Sequence, residues 1–122
     1  MTESKLSIVE RQVEDVTVLI LTGQILLDDG DLAFRRQVHD LISRGGVKIV
    51  VDLGGVTYID SSGVGMMAAK LKTVRESGGD MRLLHLTGRS QRLLGMMKLM
   101  TAFETFEDEA AAVRSFSWRP GG

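Results

Sequence analysis

The sequence lacks cysteine, has few histidines and carries almost no net charge, and the absence of cysteine and of net charge each excludes a class of site or partner. Its 122 residues include only two histidines, His39 and His85, and the formal net charge is −1. Without cysteine, disulfides, cysteine-based metal sites and thiol catalysis are all excluded. A near-neutral chain has no general attraction to nucleic acid or to anionic membranes, so we expect no direct contact with nucleic acid.

Long hydrophobic runs are missing as well. The first ten residues, MTESKLSIVE, contain no apolar signal core, and no later stretch approaches the length of a membrane span. We therefore expect a cytoplasmic protein that does not insert into membranes. A chain of this length is long enough for one hydrophobic core. We expect one domain over residues 1–122, with its core at about 5–117 and a tail at 118–122.

Apolar residues switch repeatedly between strand-like and helix-like spacing. Short apolar runs predict strands at 6–9, 16–21, 48–53, 81–86 and 103–106. Helical spacing predicts four helices between and after them, beginning near residues 28–31, 61, 87 and 107. Strands and helices that alternate through short connections are typical of a parallel sheet. The sequence therefore predicts an α/β fold: a mixed, mostly parallel sheet with an antiparallel N-terminal edge strand and about four helices.

The functional site is expected near the centre of the chain, where VVDLGGVTYIDSSGVGMMAAKL occupies residues 50–71. Gly54 and Gly55 are expected to end the buried strand before it. Asp60, Ser61 and Ser62 stand at the predicted start of the next helix, and such side chains accept hydrogen bonds from unpaired backbone N–H groups. This position is also where open α/β sheets usually bind ligands.

Two interpretations of this motif remain open. It is either a helix cap alone or a capped helix start that also binds a partner. Two serines exceed what a cap needs, and Gly63 and Gly65 are expected to keep the surface low enough for another group to approach a hydroxyl. Met66 falls beside the apolar stripe that contains Val64 and Met67. It is either an exposed, adaptable protein contact or packed beneath a neighbouring loop.

Catalytic motifs are missing around the serines. The sequence has no GxxxxGK phosphate loop and no G-x-S-x-G nucleophile elbow, and residues 63–65 (GVG) are only a fragment of the dinucleotide fingerprint. His39 is expected inside a helix and His85 on a strand, both facing solvent. We therefore expect no enzyme activity, catalytic residue, metal site or cofactor, although a small nucleotide-binding or hydrolytic enzyme remains an alternative.

The central motif resembles that of a known family. VDL at 51–53, Val56 and YIDSSGVG at 58–65 are similar to the STAS family (sulphate transporter and anti-sigma factor antagonist). The similarity is strongest to its stand-alone bacterial anti-sigma factor antagonists and extends over about residues 6–116, including the glycines at 78–79. It implies a STAS-like fold for the chain.

The resemblance also implies a switch. In that family the serine directly after the Asp, here Ser61, is phosphorylated by an anti-sigma factor that is also a serine kinase. The unmodified form binds the anti-sigma factor and frees a sigma factor for transcription. The phosphorylated form releases the anti-sigma factor, and a serine phosphatase removes the phosphate. The protein itself would be a monomer or a weak dimer. The expected partner-binding residues are Asp28, Asp60, Ser61, Ser62, Gly63, Gly65 and Met66.

One position departs from the family pattern. Many members have an Asp after Gly-x-hydrophobic at the end of the second strand, whereas here residues 23–25 are followed by Leu26, and acidic residues begin at Asp28. Either Asp28 takes that place on the partner-facing surface, or the partner differs from the familiar kinase. The alternative within the same fold is a STAS scaffold subunit of a signalling or lipid-transport complex without a phosphorylation cycle.

Overall fold

A five-stranded sheet with the strand order β1-β2-β3-β4-β5 organises the protein, as seen in a computed structural model that describes residues 5–26 and 29–117. The strands are β1 (Leu6–Val13), β2 (Val16–Ile25), β3 (Lys48–Ile59), β4 (Asp80–Leu84) and β5 (Thr105–Phe106). The helices are α1 (Asp29–Ser43), α2 (Ser61–Glu76), α3 (Gly88–Met96) and α4 (Glu109–Arg114). β1 pairs antiparallel with β2, and all other neighbours are parallel. The predicted mixed α/β sheet with four helices is therefore confirmed.

The helices lie unequally on the two faces of the sheet. Consecutive parallel strands joined by right-handed connections place their helices on the same face, and α1, α2 and α3 all contribute to one large core cluster. Val18 and Val50 point to the opposite face, where Ala112 and Val113 of α4 cover them. Because side chains alternate along a strand, Leu19 of β2 lies in the main core instead.

The glycine pair at 54–55 does not end β3, so that prediction is wrong. The strand continues to Ile59. Gly55 pairs with Thr22 where the β2–β3 register shifts, and a Cβ at Gly55 would lie 3.0 Å from the backbone oxygen of Leu21. Glycine is needed here because two strands approach closely across an irregular ladder, and no turn is formed.

Several element ends also differ from the sequence prediction. β1 and β2 form a longer hairpin in which Val13 pairs with Val16 across a two-residue turn, and Glu14 in that turn has a positive φ of 56°. The last strand begins at Thr105 and is shorter than predicted, and the last helix begins at Glu109, two residues later than predicted. Asp28 and the expected tail at 118–122 lie outside the described residues.

Helix α2 buries the predicted stripe: Val64 is 0% exposed and Met67 1%. We expect Val64→Asp to cost several kcal/mol of a typical ~5–15 kcal/mol stability, because it buries an unpaired carboxylate. Ala69→Asp, on the exposed side of the same helix, should cost only about 0.7 kcal/mol of helix propensity. Urea unfolding measures both. Equal losses would contradict the register of α2.

A polar cluster fastens the end of α1 to the edge strand β1. The Nη2 atom of Arg44 lies 2.9 Å from Oε1 of Glu10 and 2.6 Å from Oδ2 of Asp40. Hydrogen bonds from Arg44 hold the pKa of Glu10 below its usual value, and the same contacts raise the pKa of Arg44. The carboxylate of Glu10 is therefore favoured in the folded state.

This cluster should make the effect of Glu10→Gln depend on pH. A carboxyl group with a lowered pKa in the folded state stabilises the protein above its unfolded pKa of about 4.3, and that contribution is lost as pH falls through the folded value. An exposed pair of this kind contributes about 0.2–1 kcal/mol. Thermal unfolding should therefore show wild type above Glu10→Gln at pH 7 and the gap closing toward pH 3. A constant gap would contradict the assignment.

Candidate functional site

The polar motif lies at the carboxyl edge of the sheet, where β3 ends and α2 begins. Asp60 between them is extended, with φ −106° and ψ 177°, and its Oδ1 accepts a hydrogen bond from the backbone N–H of Gly63 at 2.8 Å. Its backbone oxygen accepts from the N–H of Val64 at 3.1 Å. The side chain of Asp60 is therefore the helix cap.

Ser61 and Ser62 occupy the first two positions of α2, and both are exposed. Within the ranges 5–26 and 29–117, neither hydroxyl makes a hydrogen bond. Because Asp60 caps the helix, the hydroxyls are not needed for capping. The structure thus leaves two accessible hydroxyl groups at the N-terminal end of a sixteen-residue helix.

The two glycines of the motif lie in different surroundings. Gly63 is buried, and a Cβ there would lie 3.0 Å from the backbone oxygen and Cγ2 of Ile25 and from Cγ1 of Ile59. A Cβ at Gly65 would have as its nearest neighbour the Cε of Met97 at 4.0 Å. Gly63 therefore lets α2 pack directly on the strand ends. The sequence analysis expected this glycine to shape the outer surface, and that expectation is wrong because Gly63 is buried. Gly65 leaves a shallow place between α2 and α3.

Met66 is not an exposed contact residue. It is only 9% exposed and packs in the main core cluster, which also contains Leu94 of α3. The structure therefore favours the packing interpretation and corrects the placement of Met66 on a partner surface. Helix α2 is contacted by α1 as well as by α3, so it buries a wider face than the stripe that points to the sheet.

Arg89 belongs to this site, and the sequence analysis missed it. At the second position of α3, its Nε donates a hydrogen bond to the backbone oxygen of Ile59 at 2.6 Å. Its guanidinium lies over the ring of Tyr58, 4.1 Å from the centroid. One feature of the sequence could have indicated its role: Arg89 is a cation in the first turn of a helix, where the helix dipole favours anions. A charge in such an unfavourable position indicates that the side chain makes a specific contact outside its own helix.

A second polar cluster lies just beyond β4. His85 is not on the strand, as predicted, but follows its last residue, with a positive φ of 56°. Its Nδ1 lies 3.1 Å from Oδ1 of Asp52. His85 borders a cleft of about 430 Å³, which Thr87 and Glu107 also line.

Catalytic and metal-binding arrangements were sought at both clusters. In the described part of the chain, no hydrogen bond joins His85 to Ser61 or Ser62, so no serine–histidine pair is formed. No group of three His, Cys, Asp or Glu among those residues could hold a metal ion. None of their helices combines the length and hydrophobicity that crossing a bilayer requires.

Comparison with known proteins places this geometry in a family. The sequence model described as the STAS domain matches residues 7–112. The chain belongs to the STAS family. Among its relatives, it is 27% identical over 99 residues to the anti-sigma F factor antagonist of Paenibacillus polymyxa, covering 80% of this chain and 84% of that protein.

Solved STAS structures share the fold. TM1081 of Thermotoga maritima, named as a candidate anti-sigma factor antagonist, superposes with a TM-score of 0.82 at 24% identity, over 91% of this chain and 95% of that one. The anti-sigma factor antagonist SpoIIAA in its unphosphorylated form gives 0.76 at 18% identity, over 93% and 99%. The phosphorylated form of Bacillus SpoIIAA gives 0.70 at 18%, over 89% and 99%. The STAS-like architecture inferred from the motif is thus confirmed.

The different surroundings of the two glycines can be tested by a matched pair of substitutions. Gly63→Ala should cost about 1–3 kcal/mol, because its methyl group would be forced against strand ends that cannot move aside easily. Gly65→Ala should be neutral or stabilising by up to about 1 kcal/mol, since alanine is the better helix former. Chemical unfolding of both variants measures the difference, and the reverse order would show that α2 is seated differently.

Proposed function

We propose that this protein is an anti-sigma factor antagonist that binds an anti-sigma factor with serine kinase activity and is switched off by phosphorylation of Ser61. The observation that carries the proposal is the exposed Ser61 hydroxyl directly after Asp60, which already caps α2. Membership of the STAS family and relatives named as anti-sigma factor antagonists support it. So does SpoIIAA, which is known in a phosphorylated form.

The charge at this corner explains how such a switch would act. A phosphate adds about −1.5 to −2 charges at pH 7, and on Ser61 it would stand beside the carboxylate of Asp60. The N-terminal end of a helix partly compensates negative charge. The fold therefore survives the modification, while the surface presented to the partner becomes strongly negative.

The proposed partner surface is smaller than the motif. Ser61 and Ser62 form its exposed part, and Asp60 and Gly65 are half-buried beside them. Gly63 and Met66 support it from beneath. The family resemblance would add Asp28 to this surface, because Leu26 stands in place of the family aspartate. The protein would supply the acceptor hydroxyl and the surface that the partner recognises. The partner would carry out phosphoryl transfer, and a serine phosphatase would remove the phosphate.

The switch predicts distinct behaviour for two adjacent serines. With ATP and the cognate kinase, Ser61 should take one phosphate and Ser62 none. Ser61→Ala should bind the partner but resist release by ATP, whereas Ser62→Ala should behave as wild type. Ser61→Asp should bind about 1–3 kcal/mol more weakly, because like charges then meet at the contact, and it should still fold.

Phosphopeptide mass spectrometry and calorimetric titration of the purified partner measure these effects. A phosphate on Ser62 or Thr57 would contradict the assignment. Equal partner affinity for Ser61→Ala and Ser61→Asp would also contradict it and favour a scaffold protein without a phosphorylation cycle.

A further inference from the structure

The guanidinium of Arg89 is held at the end of β3, two residues before Ser61 in the chain, with most of its donors unused. A guanidinium carries five N–H donors, and Arg89 uses its Nε donor for the backbone oxygen of Ile59. The contact with the Tyr58 ring fixes the plane of the group without using a donor. Across residues 5–26 and 29–117, its Nη atoms have no acceptor and no carboxylate partner.

The available anion at this corner is already engaged. Asp60 follows Ile59 directly, yet its carboxylate is turned to the Gly63 N–H at 2.8 Å and forms no ion pair with Arg89. An arginine held beside an aspartate without pairing to it can accept another anion. Its orientation is set in advance by two contacts, so little side-chain freedom is lost when an anion binds.

Ser61 lies within reach of these donors. Ile59, whose backbone oxygen anchors Arg89, is two residues before Ser61, and two residues of chain span at most about 7 Å. This short separation along the chain is the geometric basis for pairing a phosphate on Ser61 with the Nη donors of Arg89.

We propose that Arg89 is the cationic partner of a phosphate on Ser61, receiving it through its Nη donors while its Nε stays on Ile59. This proposal rests on the proposed phosphorylation of Ser61. Paired N–H donors match phosphate oxygens and form strong, charge-assisted hydrogen bonds. The pair offsets the repulsion from Asp60 and holds the phosphate over the start of α2, where it covers the surface offered to the partner.

The test uses protein in which phosphoserine is incorporated at position 61 during translation, so no kinase is needed. A ³¹P NMR titration measures the second pKa of the phosphate, which is about 6 when unperturbed. In the wild-type background this pKa should lie about one unit below that in Arg89→Ala, since a nearby cation favours the dianion. Arg92→Ala removes a neighbouring charge on α3. The Nη1 of Arg92 lies near Gly88 but makes no hydrogen bond to Ile59, so this variant should change the phosphate pKa much less.

Two further variants protect the test against a folding defect. Arg89→Lys keeps the charge but not the paired donors, so it should give an intermediate pKa. Arg89→Gln keeps a donor for Ile59 without the charge and should match Arg89→Ala. Circular dichroism verifies that each variant is folded. If wild type and every folded Arg89 variant share one phosphate pKa, or if Arg92→Ala changes it as much, the pairing is overturned.

The outcome separates this inference from the proposed function. A shifted phosphate pKa in a protein that no partner kinase modifies would refute the phosphorylation switch and leave the local pairing established. An unshifted pKa in a protein that a kinase does phosphorylate at Ser61 would refute the role of Arg89 alone.

Discussion

The close contact between Gly63 and the ends of β2 and β3 is the constraint on which the site depends. With no side chain at this position, the first turn of α2 rests directly on Ile25 and Ile59. A helix seated this closely has its rotation about its own axis set by the contact. Val64 and Met66 then turn inward, and Ser61 and Ser62 turn to solvent.

Charge at this corner is divided between two residues with separate tasks. The carboxylate of Asp60 satisfies a backbone donor of α2, whereas Arg89 bonds the last carbonyl of β3. An arginine at a helix start opposes the dipole of its own helix. Its contacts with Tyr58 and Ile59 offset this unfavourable interaction with the dipole. They also connect α3 to β3, the strand that directly precedes the two serines. The site is therefore built from β3, α2 and α3 together.

Local signals predicted well wherever neighbours in sequence decide the conformation. Helix α2 begins at Ser61, as predicted, because its cap, Asp60, and its apolar stripe are adjacent along the chain. The glycine pair at 54–55 was misread because the requirement for glycine at position 55 comes from β2, a strand some thirty residues earlier. Met66 was misplaced because α1 and α3 both contact α2 and bury sides of it that a single helix viewed alone leaves open.

The sequence by itself determined the α/β class, the helix start with its two serines and the family motif, since each is written in residues that are close along the chain. Only the tertiary structure decided that Arg89 meets Ile59 and that His85 meets Asp52, contacts separated by 30 and 33 residues. Such pairs form because β3 and β4 are neighbours in the sheet, which brings the end of β3 beside the start of α3. That proximity follows from strand order and burial, and no local pattern of side chains encodes it.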